Sequence, residues 1–326
     1  MLLLSLQISL AKVLLAPDGL FATTQLARLD PSSGAIFMPS TTRYTLIEVG
    51  CSDWGTLDET VLDKHAHGFL ISFEPMLDKF AVLMARGTTR YHGPQHDMAV
   101  PIGHHHRRGV VLPLAVSPQG GPLNFTVHRR AGCSSLLNAN ATATSTWGRR
   151  CQHVLEHRRV ESISLAQAIA LAGPLPVRHL KTDAQGVDFK LIKALEQQHP
   201  GLLFRRVLSV QMETRTAQCT PLYEGQETCN EVLAYMRRLG YSSNHNCPSP
   251  MNTEWCERTM QFYHKRFGSF AAVLESSGSG SGVSASQSSS RAARAADGRS
   301  RPSDHRTSSQ AQAAGQYRRA ARTPSK

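Results

Sequence analysis

Residues 46–55, LIEVGCSDWG, carry the densest set of positions suited to chemistry in this 326-residue chain. Gly50, Ser52 and Gly55 fall at the three positions of a glycine-rich nucleotide-binding loop, with Ser in place of the middle Gly. A tight turn from strand to helix needs residues without bulk there, because backbone N–H groups must approach a bound nucleotide closely. Two acids sharpen the pattern. Glu48 stands two residues before Gly50, at the end of the expected first strand, where a nicotinamide-binding fold usually has an apolar residue. Glu74 ends the next strand in the step FEP, at the separation where an acid reaches ribose hydroxyls in this topology. A bidentate carboxylate suits a neutral diol.

The second such segment is 179–195, HLKTDAQGVDFKLIKAL. Asp183 falls where a parallel strand should leave the sheet, and ligands of open α/β sheets bind outside those carboxyl ends. Capping the following helix is the plainer role for the same residue. Lys181 shares a strand face with Asp183, so it can pair with that acid or hold an anionic substrate. His179 lies inside the strand and reads as a packed core residue.

These positions must be held by alternating strands and helices. Strands are expected at 44–49, 69–73, 110–116, 177–182 and 207–213, with a further β-like run at LNFTV and a last strand within MQFYHKRF. Helical patterns fall at 56–65, 76–85, 165–171, 189–197 and 230–239. Continuous apolar strands separated by helices imply parallel pairing with both faces of the sheet covered. The expected fold is α/β, a doubly wound, mostly parallel Rossmann-like sheet of about seven strands. Residues 88–108 read as a long loop, and the stretch up to Trp147 as a surface loop. Three adjacent His residues at 104–106 cannot all face one ion, so no metal is expected there.

The chain resembles the FkbM family of methyltransferases over roughly residues 44–267. The acid-glycine loop IEVGCSDWG, the FEP step and LKTDAQGVDFKLIKAL carry the resemblance, the last being similar to the family's Lys-x-Asp-x-(Glu or Gln)-Gly-x-(Asp or Glu) block. VESISL and VLSVQMET fit the flanking pattern. The resemblance implies a class I methyltransferase fold, S-adenosyl-L-methionine as donor, and a hydroxyl acceptor on a sugar-like or small molecule. It implies a cofactor site of Glu48, Gly50, Ser52, Gly55 and Glu74. Asp183 is then the expected base or acceptor-positioning residue, with Glu213 second and Lys181 toward the substrate. Cys51 and Ser52 stand where Ala and Asn are common in the family, and the glycine loop is one residue longer.

Two other readings make their own demands on the sequence. A nucleotide-dependent oxidoreductase calls for a proton-relay pair such as Tyr with Lys four residues later, and none of the seven tyrosines has one. A non-enzymatic nucleic-acid or partner-binding protein would act through the C-terminus. Of the formal net charge of +12, residues 276–326 hold +7, from nine Arg or Lys against two Asp. That tail has almost no large apolar residues and is expected to be disordered, with nucleic acid engaged at most weakly through it. The expected organisation is an N-terminal extension at 1–43, a methyltransferase-like domain at 44–275 and the basic tail at 276–326. The apolar N-terminus is interrupted by Lys12, a weak signal sequence, and no segment reads as a membrane span. Seven cysteines leave disulfides and buried thiols both open, and the compartment with them: cytoplasm or secretory lumen. Sequons at Asn124 and Asn140 are compatible with secretion.

Overall fold

Four strands of the sheet are buried along their whole length: β1 (Tyr44–Val49), β2 (Gly68–Phe73), and the strands Gly109–Leu112 and Val177–Thr182. Such strands need cover on both faces, and alternation of side chains across the sheet supplies it. Ile47, Val49, Ile71 and Phe73 join the main core, whereas Tyr44, Leu46 and Leu70 pack with Leu57 in a second cluster. A computed structural model of the protein describes residues 27, 29–53, 57, 66–86, 108–216, 219–247, 256–269 and 272–273, without the side chains of 84–86. The expected helix at 56–65 apart from Leu57, the loop at 88–107 and the tail lie outside the described residues.

The chain continues through β3 (Gly109–Leu112), β4 (Ala115–Ser117), β5 (Leu123–His128), β6 (Val154–Val160), β7 (Ser162–Ser164), β8 (Val177–Thr182), β9 (Ser209–Arg215), β10 (Tyr241–Ser243) and β11 (Glu257–His264). The fold is α/β, with a mixed seven-stranded sheet in the order β10-β11-β9-β8-β1-β2-β3. β9, β8, β1, β2 and β3 are parallel neighbours, and β11 runs antiparallel to both β9 and β10. From β1 the chain goes to β2 on one side, and only later to β8 on the other. The strand order reverses at the carboxyl ends of β1 and β8, where open sheets of this kind form a ligand crevice.

The single strand expected at 110–116 is in fact two. Pro113 has no N–H for a ladder, so β3 stops at Leu112, and Leu114 bonds back to the Leu112 carbonyl at 2.8 Å. β4 then leaves the main sheet and pairs with β7, while β5 and β6 form a separate antiparallel hairpin. Ordered structure also begins before Tyr44. The Ile36 N–H donates to the Leu171 carbonyl at 2.9 Å, and Ile36 is part of the main core. Two helices open on capping boxes legible in the sequence: Ser164 with Gln167 before Leu165–Ala170, and Thr228 with Glu231 before Cys229–Arg238.

All described residues belong to one compact unit. Six of the seven cysteines pair as Cys133–Cys151, Cys219–Cys256 and Cys229–Cys247, leaving Cys51 as a buried thiol. Among the described residues no helix is long and apolar enough to cross a membrane.

Candidate functional site

The ends of β1, β2 and β8 converge through the backbone of the glycine loop. The Gly50 and Cys51 N–H groups both donate to the Phe73 carbonyl, at 3.0 and 3.2 Å, and the Asp183 N–H donates to the Val49 carbonyl at 2.9 Å. Gly50 has φ +76°, and a Cβ there would lie 2.2 Å from the Asp183 carbonyl oxygen. Glycine is required at this position for both backbone conformation and space. Ser52 follows in the left-handed region at φ +53°.

This junction opens on a cavity of about 310 Å³ lined by Gly50, Cys51, Ser52, Glu74, Lys181 and Asp183 among others. It is also lined by Leu114, Ala115 and Val116 at β4, by Phe125 of β5, and by Ala131, Gly132 and Ser134 in the turn that follows β5. Of the residues expected from sequence, Gly50, Ser52, Glu74, Lys181 and Asp183 therefore share one cavity. Gly55 lies outside the described residues.

Glu74 is buried, and its carboxylate clamps the loop: Ser52 N–H donates to Oε2 at 2.6 Å and Met76 N–H to Oε1 at 2.9 Å. Burial raises its pKa to about 7, although those two N–H groups and Lys79 pull the other way. Each oxygen keeps a second lone-pair direction for a ligand hydroxyl. Lys79 itself bonds Ser52 Oγ and lies 3.5 Å from Asp53.

Glu48 does not line the cavity. It is fully buried beneath it, accepting from Lys181 Nζ at 3.0 Å and from the Leu57 N–H at 3.3 Å. Its reach toward a ligand runs through Lys181, which lies 3.6 Å from Asp183 Oδ2. Burial alone would lower the Lys181 pKa, but Glu48 and Asp183 outweigh it and hold the ammonium charged.

Asp183 accepts from Gln185 Nε2 at 2.8 Å and remains partly exposed. Asp183 does not cap the following helix, which has no side-chain cap; Asp188, its first residue, instead holds the preceding turn by accepting from the Ala184 and Gly186 N–H groups at 2.9 and 3.2 Å. Gln185 is held in turn by the Tyr223 hydroxyl, 3.0 Å from Oε1. Sequence reasoning missed this Gln185–Tyr223 pair, since Tyr223 is 38 residues away. Glu213 stands off the cavity. The Asp183 charge, burial and the Glu257 carboxyl keep its pKa well above the ordinary carboxylate range. His179 is buried against Ser209, Nδ1 to Oγ 3.0 Å, with its pKa lowered to about 3 by burial.

A pH dependence of stability follows. Glu74 and Glu257 titrate at about 7 and about 8 in the folded chain, against 4.5 when unfolded, both raised by burial first. A raised carboxyl contributes stability below its unfolded pKa and loses it as pH climbs through the folded value. His179 works in the opposite sense, but only below its unfolded value of 6.5. The thermal midpoint of the ligand-free protein should therefore fall as pH rises from about 6.5 to about 8. Glu257→Gln should flatten the upper part of that decline in melts followed by circular dichroism. A midpoint that rises over this window would contradict the assignment.

Among the described residues no group of His, Cys, Asp or Glu is arranged to hold a metal ion. No known family model matches the chain, and no curated protein matches it.

Proposed function

We propose that this chain is an S-adenosyl-L-methionine-dependent methyltransferase that acts on a hydroxyl of a sugar-like or small-molecule acceptor. The observation that carries the reading is the convergence of Gly50, Ser52, Glu74, Lys181 and Asp183 on one cavity at the carboxyl ends of β1, β2 and β8. The strand order, with β11 reversed between β9 and β10, agrees with the class I methyltransferase fold that the sequence resemblance implies.

The residues present suit the donor. The absence of a side chain at Gly50 lets the loop pack directly on the Asp183 backbone, which holds the ends of β1 and β8 together beside the cavity. Glu74 offers a buried carboxylate to a ribose diol, and the apolar wall of Leu114, Val116 and Phe125 suits a flat aromatic base. When bound, S-adenosyl-L-methionine supplies an electrophilic methyl group on a sulfonium. The chain's own residues then have two tasks, alignment of the acceptor oxygen and removal of its proton. Glu213 stands off the cavity, so the proton-accepting role goes to Asp183, which lines it beside Lys181. Glu48 is a positioning residue that fixes the Lys181 ammonium from below.

Titration calorimetry with S-adenosylhomocysteine tests the reading. The wild-type chain should bind it, and Glu74→Ala should weaken binding roughly tenfold to a hundredfold, the worth of losing hydrogen bonds to a charged group. Glu74→Gln keeps the side-chain volume and one acceptor, and should show an intermediate loss. Unchanged affinity in both variants would remove Glu74 from the ribose site, and no binding by the wild type would remove the activity.

A further inference from the structure

One charged surface plays no part in the cofactor site. Residues 109–160 contain six Arg and a single acidic residue, Glu156. That acid is already engaged by Arg158, which also pairs with Asp78 at 3.1 Å. Arg129, Arg130, Arg149 and Arg150 are all exposed, and none has a carboxylate partner among the described residues. The fold nevertheless gathers them. Cys133–Cys151 ties the turn after Arg129 and Arg130 to the helix Thr146–Cys151 that carries Arg149 and Arg150. The Arg129 N–H donates to the His153 carbonyl at 2.8 Å, and the Arg130 guanidinium lies 6.0 Å from the centre of the Trp147 ring.

Covalently tying together two segments that each carry two cations costs repulsion that no carboxylate among the described residues relieves. The surface also has a location. Ala131 and Gly132, directly after Arg130, line the same cavity as Glu74 and Asp183. Arg130 is thus the direct chain neighbour of a residue of the cavity lining.

We infer that the acceptor is an acidic saccharide, bearing sulfate or carboxylate groups, which docks on Arg129, Arg130, Arg149 and Arg150 and presents a hydroxyl to Asp183. This rests on the methyltransferase reading and specifies its substrate class. Planar guanidinium groups match both sulfate and carboxylate oxygens in bidentate fashion, and Trp147 adds an aromatic face beside them. A nucleic acid would satisfy the charge equally well, but three disulfides suit an oxidising compartment, where acidic glycans are the available polyanions.

The test uses the full chain and its Arg129→Ser/Arg130→Ser/Arg149→Ser/Arg150→Ser variant. Fluorescence anisotropy would follow labelled heparin oligosaccharide, oligogalacturonate, neutral dextran oligomer and an RNA oligonucleotide of matched charge. At least one acidic saccharide should bind, neutral dextran should not, and affinity should fall as salt is raised, because these charges are exposed. The variant should lose roughly tenfold or more in saccharide affinity while S-adenosylhomocysteine binding and the circular dichroism spectrum stay unchanged. Equal affinity in the variant would assign the binding to the nine cations of the tail and overturn the proposal. Tighter binding of RNA than of both acidic saccharides would overturn it as well. Arginine-dependent saccharide binding by a wild-type chain that ignores S-adenosylhomocysteine would overturn the acceptor role through the activity, not through the surface.

Discussion

Replacing Lys181 by alanine should destabilise the chain by about 3–5 kcal/mol, the cost of breaking a buried ion pair from one side. Glu48 has no exposure to solvent, and Lys181 Nζ is the cation 3.0 Å from its carboxylate. The Leu57 N–H at 3.3 Å is a neutral donor and cannot take over the charge. Equilibrium urea unfolding with the disulfides intact reads the loss as a lower midpoint. The double variant Glu48→Gln/Lys181→Met should recover most of it, because a neutral pair of similar volume no longer has to be desolvated as ions. Methyl transfer should stay depressed in that double variant, since the cation beside Asp183 is still missing. If Lys181→Ala unfolds at the wild-type midpoint, the pair is not the structural support that its burial suggests. If the double variant instead transfers methyl groups at the wild-type rate, Lys181 has no part in the chemistry.

The same pair marks where the sequence was legible and where it was not. Glu48 announces itself as an acid two residues before Gly50, yet spacing alone does not tell a residue facing a cavity from one lying under it. That difference depends on Lys181, which is 133 positions further along the chain. β2 and most of β1 are easy to read because burial on both faces leaves nearly continuous apolar runs, whereas the equally buried β8 carries Arg178, His179 and Lys181. β6 is the opposite case. VLEHRRV is exposed along most of its length and is held by its pairing with β5, so no apolar pattern reveals it. β10 has three residues, too few for any periodicity. The split at Pro113 could be anticipated from the missing N–H, but the departure of β4 toward β7 could not. Cysteine counting left disulfides and buried thiols both open, because pairing depends on chain geometry. It gave no hint of Cys133–Cys151, the bridge that ties the turn after Arg130 to the helix carrying Arg149 and Arg150.

Asp183→Asn should reduce methyl transfer by about 10² to 10⁴-fold, the usual contribution of a positioned base, while leaving cofactor affinity within about twofold of wild type. The substitution keeps the side-chain shape and still lets Oδ1 accept from Gln185 Nε2, now 2.8 Å away. The Asp183 N–H bond to the Val49 carbonyl involves backbone only and is unaffected. What disappears is the charge that can take a proton from a hydroxyl acceptor. A second consequence separates this role from simple packing. The Asp183 charge is the largest influence raising the Glu213 pKa, so neutralising it should lower that pKa. The variant's residual activity should then depend on pH through Glu213, and adding Glu213→Gln should remove that dependence. Rate measurements across pH on the single and double variants, with S-adenosylhomocysteine calorimetry as the control, decide the matter. Full turnover by Asp183→Asn would end its catalytic role. A parallel collapse of cofactor binding would make Asp183 part of the cofactor site, and the proton would need another acceptor.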